Sequence, residues 1–356
     1  MFIHEKKSAF GLDLSDLSVK IAVLELAREG RVSLASFGRE EIEAGVIEGG
    51  QIKKEEELIT ILKNAASRVK GEKIKTKYCV VSLPETESYI RVLKLPVLSS
   101  KEMGEAIKWE IEANMPVAID EVYFDWQLIS DEKSSGSNVL VGALPKALVD
   151  PYLGVLKKAG FLPLAFEIES LATARALIKK DAWSQPLMIV DFGAKRTSLI
   201  VFAGNSVWFT CSLAISNSVL IQEIANSLKI DFEKAKKLKF EKGMEKTEEN
   251  KEVYAVLEPR LLELVGEIKR YIDYCQSRLL PKYFSEVQKI IVCGGGANLK
   301  GVCEFLSGQL KIGVELGNPW INILNSENKE SPALPFEDSL SFTTSLGLAL
   351  GGINLF

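Results

Sequence analysis

Hydrophobic residues first cluster over residues 9–27, AFGLDLSDLSVKIAVLELA. An apolar run meets Asp13, small polar residues follow, and a second run begins that is rich in β-branched side chains. The pattern predicts strand, tight turn, strand. Residues 187–203, LMIVDFGAKRTSLIVFA, repeat it, with Asp191 at the end of the first strand. The copies lie about 180 residues apart, a spacing that suggests two similar lobes and not a short solenoid repeat. A third signal, residues 289–310, reads as a short buried strand, three glycines, and a helix with Leu299, Val302, Cys303, Leu306 and Leu310 at its apolar positions.

Between the two hairpins, residues 73–145 read as a small strand–helix–strand insertion. KYCVVSLPETESYIRVLKLP predicts two strands around Pro84. In LSSKEMGEAIKWEIEANMP, Ser99 and Glu102 form a capping box, Met103, Ile107 and Ile111 share a face, and Pro116 ends the helix. EVYFDWQLIS and SNVLVGALP return as strands. PYLGVLKKAGFLPLAFEIESLATARAL adds a helix, a strand and a second helix. Residues 216–285 are helical and charged, and their lysines are interleaved with Glu233, Glu241 and Glu245, as on a solvated helix face.

Composition narrows the function. The 356 residues are 47% apolar and 26% charged, enough for about two packed domains. A net charge of −4 with both signs interspersed gives no footprint for nucleic acid or an anionic membrane surface. No apolar run approaches the roughly 18–20 residues of a membrane-spanning helix. MFIHEKKSAF lacks the apolar region of a signal peptide. A cytoplasmic protein is expected, one that reaches the membrane only through a partner. Cys79, Cys211, Cys275, Cys293 and Cys303 form no CxxC pair and are expected as buried free thiols. The single histidine, His4, lies near the N-terminus, which argues against a His-dependent triad or a His-ligated zinc site. Gly294, Gly295 and Gly296 leave room for a ligand to approach the backbone, since no Cβ intervenes.

These parts, in this order, resemble the actin-like ATPase superfamily, and within it the PilM family of type IV pilus assembly proteins. The resemblance is carried by FGLDLSDLSVK, VSLPETESYIRVLKLP, EAIKWEIEANMPVAIDEVYFDW, VDFGAKRTSLIVF, EIKRYIDYC, IVCGGGANLKGVCEFL and SFTTSLGLALG. The third of these is similar to the subdomain inserted in PilM and FtsA proteins. The resemblance implies an α/β, ribonuclease H-like, duplicated two-lobe fold: a first lobe over 8–185, a small α+β insertion at 73–145, a second lobe over 186–356 and a helical subdomain at 220–285.

It also implies ATP with Mg²⁺ as cofactors. The first phosphate hairpin would supply Asp13, Ser15, Asp16, Ser18 and Lys20, although Lys20 also fits an ordinary strand-surface lysine. The second hairpin would supply Asp191, Gly193 and Thr197. The adenosine loop would supply Gly294, Gly295, Gly296 and Asn298, with Lys239 from the AKKLK helix. Asp13 and Asp191 would hold Mg²⁺ through its waters, as hard oxygen ligands do. Glu169 is the candidate for positioning water, its alternative being a helix-start glutamate favoured by the dipole.

Three positions depart from the family pattern. Ser15 stands where glycine is usual, AISNS replaces a Gly-Gly pair, and Lys236 replaces an acid that helps hold the ribose. The implied function is a scaffold that binds the cytoplasmic N-terminal peptide of a PilN-like inner-membrane protein, in a groove between the first lobe and the insertion. A pilus motor ATPase and self-association are further implied partners. The alternatives are an active ATPase, a small-molecule kinase, or an FtsA-like filament protein; the chain end GLALGGINLF lacks the basic amphipathic helix of the last. That end also repeats an Ile-Asn-Leu core similar to PilN-type peptides. It suggests a tail, Ile353–Leu355, that swings on Gly351 and Gly352 into a peptide groove, the alternative being a terminal strand or frayed end with a chance three-residue match.

Overall fold

Each strand–turn–strand segment becomes an antiparallel hairpin within its own sheet. The computed structural model describes residues 8–26, 30–129, 136–179, 185–324 and 332–354. In the first hairpin, β1 (Phe10–Leu14) pairs with β2 (Ser18–Leu26), and the register sets Asp13 opposite Lys20. β3 (Val32–Glu41) continues the sheet. A short hairpin of β4 (Ile47–Glu48) and β5 (Gln51–Ile52), helix α1 (Glu55–Ser67) and β6 (Lys70–Gly71) follow. β7 (Tyr78–Leu83) then pairs parallel with β1.

The inserted strands β8 (Tyr89–Leu95), β9 (Val122–Ile129) and β10 (Ser137–Pro145) form a separate antiparallel sheet in the order β8-β10-β9. Helix α2 (Ser100–Asn114) covers it, starting at the expected Ser99/Glu102 capping box. Its Met103, Ile107 and Ile111 pack on Leu93, Val122, Val139 and Val141. The strand Tyr78–Leu83, which the sequence reading placed with the insertion, belongs to the first sheet. Its apolar run lies between β1 and β11 and is buried from Cys79 to Leu83. Helix α3 (Lys146–Ala159), strand β11 (Leu162–Ile168) and helix α4 (Glu169–Leu177) complete this half, giving the order β11-β7-β1-β2-β3-β6.

The second sheet repeats the plan. β12 (Leu187–Phe192), β13 (Thr197–Ala203) and β14 (Ser206–Leu213) form a meander. Helices α5 (Asn217–Leu228), α6 (Phe232–Lys242) and α7 (Lys251–Tyr274) follow, then β15 (Lys289–Cys293), α8 (Val302–Leu310), β16 (Gly313–Leu316), α9 (Phe336–Ser339) and α10 (Thr343–Asn354). The order β14-β13-β12-β15-β16 matches β3-β2-β1-β7-β11, a meander followed by two parallel strands.

The two halves exchange their last helices. α4 sends Ala174 and Leu177 into the core built on Leu187, Ile189 and Ile200 of the second sheet. α10 sends Leu346, Ala349 and Leu350 onto Ala22 and Leu24 of the first. The helices touch each other at Thr173 and Thr344, whose hydroxyls are 3.0 Å apart. Gly11 permits the close approach of α10 to β1, because a Cβ there would fall on the carbonyl of Ser345.

This packing overturns the swinging tail. Gly351 and Gly352 are buried in α10, where a Cβ on Gly352 would meet the Ala9 carbonyl at 2.8 Å. Ile353 packs with the cluster that includes Trp320 and Leu346. Residues 355 and 356 lie outside the described residues. Buried glycines in a helix are held by its hydrogen bonds and do not act as a joint. All five cysteines are free, and Cys79, Cys275 and Cys293 are buried. His4 lies outside the described residues. No helix among them is long and apolar enough to cross a membrane.

Candidate functional site

The tips of the two hairpins face each other across a cavity of about 160 Å³. Asp13, Ser15, Asp16, Ser18 and Lys20 line it from the first hairpin, and Asp191 and Gly193 from the second. Gly294, Gly295 and the first residue of α4, Glu169, complete the part foreseen in the sequence.

Asp13 is buried and held on both sides. Lys20 Nζ lies 2.9 Å from Oδ2, a consequence of their cross-strand register. The Ser82 hydroxyl donates to Oδ1 at 3.0 Å and itself accepts from the Leu14 amide at 3.1 Å. Lys20 is therefore an interior counter-ion with a side chain only 12% exposed, not a strand-surface lysine. The turn explains why serine serves at position 15. The Ser15 amide donates to the Ser18 carbonyl at 3.0 Å, and the two hydroxyls lie 3.1 Å apart. Ser15 is not among the residues with positive φ, so the turn does not require glycine.

Carboxylates crowd the cavity. Burial and the charge of Asp13 push Asp191 up to about 6. Burial, then Asp13, Glu85 and Asp191, hold Glu169 well above the ordinary carboxyl range. Glu85, in the turn after β7, lies outside the cavity wall and has no role in the sequence reading. It is 6% exposed, accepts a hydrogen bond from Thr210 of β14 in the second sheet, and burial pushes it up to about 7. A cation between Asp13 and Asp191 would relieve their repulsion. No cluster of three or more His, Cys, Asp or Glu side chains with metal-binding geometry occurs among the described residues. Two carboxylates supplemented by water and phosphate oxygens is a donor set that suits Mg²⁺.

Four foreseen residues stand outside the cavity wall. The Thr197 hydroxyl donates to the Ile215 carbonyl at 2.6 Å and pins the second hairpin. Gly296 accommodates the Phe192 ring, which a Cβ would meet at 2.6 Å. Asn298 donates to the Glu337 carbonyl at 2.8 Å. Lys239 is fully buried; its ammonium bonds the Asn217 side chain, and burial lowers it to about 7. It reaches the cavity through Asn217, which does line it. Lys236 turns outward, 3.9 Å from Glu233.

Arg39, Lys195, Arg196, Ser198, Ser341, Thr343 and Thr344 also line the cavity and were missed. Lys195 and Arg196 lie at the tip of the second hairpin, where the sequence shows them as adjacent charges. Arg39 lies on β3, and the last three come from the exchanged C-terminal segment. Only the packing brings these to the cavity. Asp16 accepts from the amides of Gly49 and Gly50 at 3.1 and 3.0 Å and pairs with Arg196 at 3.4 Å.

Solved structures share this architecture. A "PilM-PilN type IV pilus biogenesis complex" matches with TM-score 0.81 and 23% identity, covering 98% of this chain and 99% of that one. MreB5 of Spiroplasma citri bound to ADP matches with TM-score 0.54 and 14% identity over 98% of this chain and 99% of that one. The ethanolamine utilization protein EutJ from Carboxydothermus hydrogenoformans matches with TM-score 0.56 and 16% identity over 96% of this chain and 89% of that one. At these identities the likeness establishes the actin-like fold. No curated protein matches the sequence. The family model "Type IV pilus assembly protein PilM" matches residues 11–353, which takes in both hairpins, the insertion and nearly all of α10. This chain belongs to the PilM family of type IV pilus assembly proteins.

Proposed function

We propose that this protein is a nucleotide-binding scaffold of type IV pilus assembly, held at the inner face of the membrane through the N-terminal peptide of a PilN-like protein. The observation that carries the reading is the match of the family model across residues 11–353. The cavity between the hairpins supports ATP or ADP with Mg²⁺ as its ligand. Asp13 and Asp191 would hold the ion's waters, and turn amides and the hydroxyls of Ser15 and Ser18 would bond phosphate oxygens. The bound ion would screen the phosphate charge.

The residues favour binding over rapid hydrolysis. A general base must be ionised at working pH. Burial and three neighbouring acids push the Glu169 carboxyl well above the ordinary range, which disfavours the ionised form that would accept a water proton. Turnover slower than the common enzyme range of roughly 1–10³ s⁻¹ is expected.

For the peptide, the small sheet presents β9 as an edge strand. Tyr123 and Leu128 on it are exposed, and Tyr123 reaches α3 of the first lobe through Asp150 at 3.1 Å. An extended peptide added to this edge would gain main-chain hydrogen bonds and side-chain pockets.

Titration with a fluorescent ATP analogue, with and without Mg²⁺, tests the nucleotide reading. Asp13→Ala and Asp191→Ala should each abolish Mg²⁺-dependent binding, and unchanged affinity in both would sink it. Cross-linking a synthetic PilN-like N-terminal peptide should label β9 and α3; labels confined to the second lobe would reject the groove.

A further inference from the structure

Asp16 was expected to hold a nucleotide, yet its carboxylate is already surrounded by donors. Gly49 N and Gly50 N donate to Oδ2 and Oδ1 at 3.1 and 3.0 Å. Both glycines have positive φ, 58° and 83°, a conformation that suits glycine and lets the turn present two successive amides to one anion. The turn is anchored in its turn: the Tyr152 hydroxyl donates to the Gly50 carbonyl at 2.8 Å. Asp16 is thus a fixed negative charge of the first lobe. Opposite it, Arg196 comes from the tip of the second hairpin, and its Nη2 reaches Asp16 Oδ2 at 3.4 Å. The side chains are 13% and 24% exposed, so the pair is largely shielded from water. It links the two lobes at the wall of the cavity, which both residues line.

A carboxylate and a phosphate are alternative partners for one guanidinium, whose fork fits either, and phosphate offers the greater charge. A phosphate chain lying between the hairpins would gain from Arg196 and be repelled by Asp16.

We propose that the Asp16–Arg196 pair is a built-in competitor for phosphate, so that a nucleotide binds by taking Arg196 from Asp16 and thereby breaks one contact between the lobes. The proposal rests on the nucleotide reading above. It makes Arg196 a phosphate-binding residue and Asp16 a residue that opposes binding. Occupancy of the cavity then loosens or re-sets the lobes through a defined ion pair, because a ligand shifts an equilibrium only by its differential contacts.

The test is a double-mutant cycle read as Kd for a fluorescent ATP analogue in the presence of Mg²⁺. Asp16→Asn keeps an acceptor for one of the two glycine amides, gives up the other bond and removes the competing charge; binding should tighten by about tenfold, the size of a coupling near 1.4 kcal/mol. Arg196→Gln should weaken binding by a similar factor. In the Arg196→Gln background the gain from Asp16→Asn should shrink to less than half. Asp16→Ser, also neutral, repeats the measurement should the asparagine variant fold poorly. If the neutral Asp16 variants bind as the wild type does, or more weakly, the competition is overturned while the nucleotide site stands. If neither the wild type nor these variants bind nucleotide, the functional reading and the competition fall together.

Discussion

Glu85→Gln is the substitution whose outcome the structure sets most sharply. Glu85 is 6% exposed and sits between the lobes, with its carboxyl accepting from the Thr210 hydroxyl. Burial is the main cause that pushes it from the ordinary 4.5 up to about 7, with Asp191 adding to the rise and Arg196 opposing it. At about 1.4 kcal/mol per unit, ionising this group disfavours the folded state by about 3 kcal/mol at high pH. The sign follows from proton counts. Between about pH 4.5 and pH 7 the folded chain binds more protons at this site than the unfolded chain, so stability falls as pH rises. From pH 5.5 to 8.5 the fall due to Glu85 is about 2 kcal/mol. Glutamine removes the charge and keeps the Oε1 acceptor for Thr210. Urea unfolding followed by intrinsic fluorescence at pH 5.5, 7.0 and 8.5 measures the difference. The variant should gain on the wild type as pH rises, by about 2 kcal/mol over that interval. Parallel curves for the two proteins would mean that Glu85 ionises as it does in water, and the argument from its burial would be refuted.

Two further outcomes follow from the packing and the buried cation. Lys239 is fully buried and lowered to about 7 from 10.5, so the folded chain binds fewer protons there between about pH 7 and 10.5, and stability should rise with pH in that window. Lys239→Met should flatten that rise and, by releasing Asn217, weaken nucleotide binding severalfold; an unchanged pH slope in denaturation would reject the assignment. Gly11→Ala would drive a methyl into the Ser345 carbonyl on α10, with destabilisation of about 3 kcal/mol, visible as a lowered urea midpoint. A midpoint equal to the wild type would show that α10 shifts without loss.

The local elements were readable because each is written in neighbouring residues. The two hairpins, the Ser99/Glu102 capping box and the strand–glycine–helix unit at 289–310 depend on period, turn chemistry and caps that act over a few positions. From the hairpins alone came most of the cavity wall, because a turn carries its polar tip wherever its strands pair. Other features depend on partners far along the chain. That Tyr78–Leu83 joins the first sheet and not the insertion depends on β1 and β11 lying on either side of it. That α10 crosses to the first sheet turns Gly351 and Gly352 from an apparent joint into buried helix. The roles of single residues were decided the same way. Thr197 and Asn298 look like ligands in their motifs, but each spends its hydrogen bond on a carbonyl 18 or 39 residues away. Glu85 and Arg196 lie in ordinary turn text, and their chemistry arises only where two lobes, folded from distant halves, bring acids and a guanidinium into one shielded space. Burial and long-range charge belong to the assembled chain. Sequence determines which groups are available, and tertiary packing decides which of them meet and whether water reaches them.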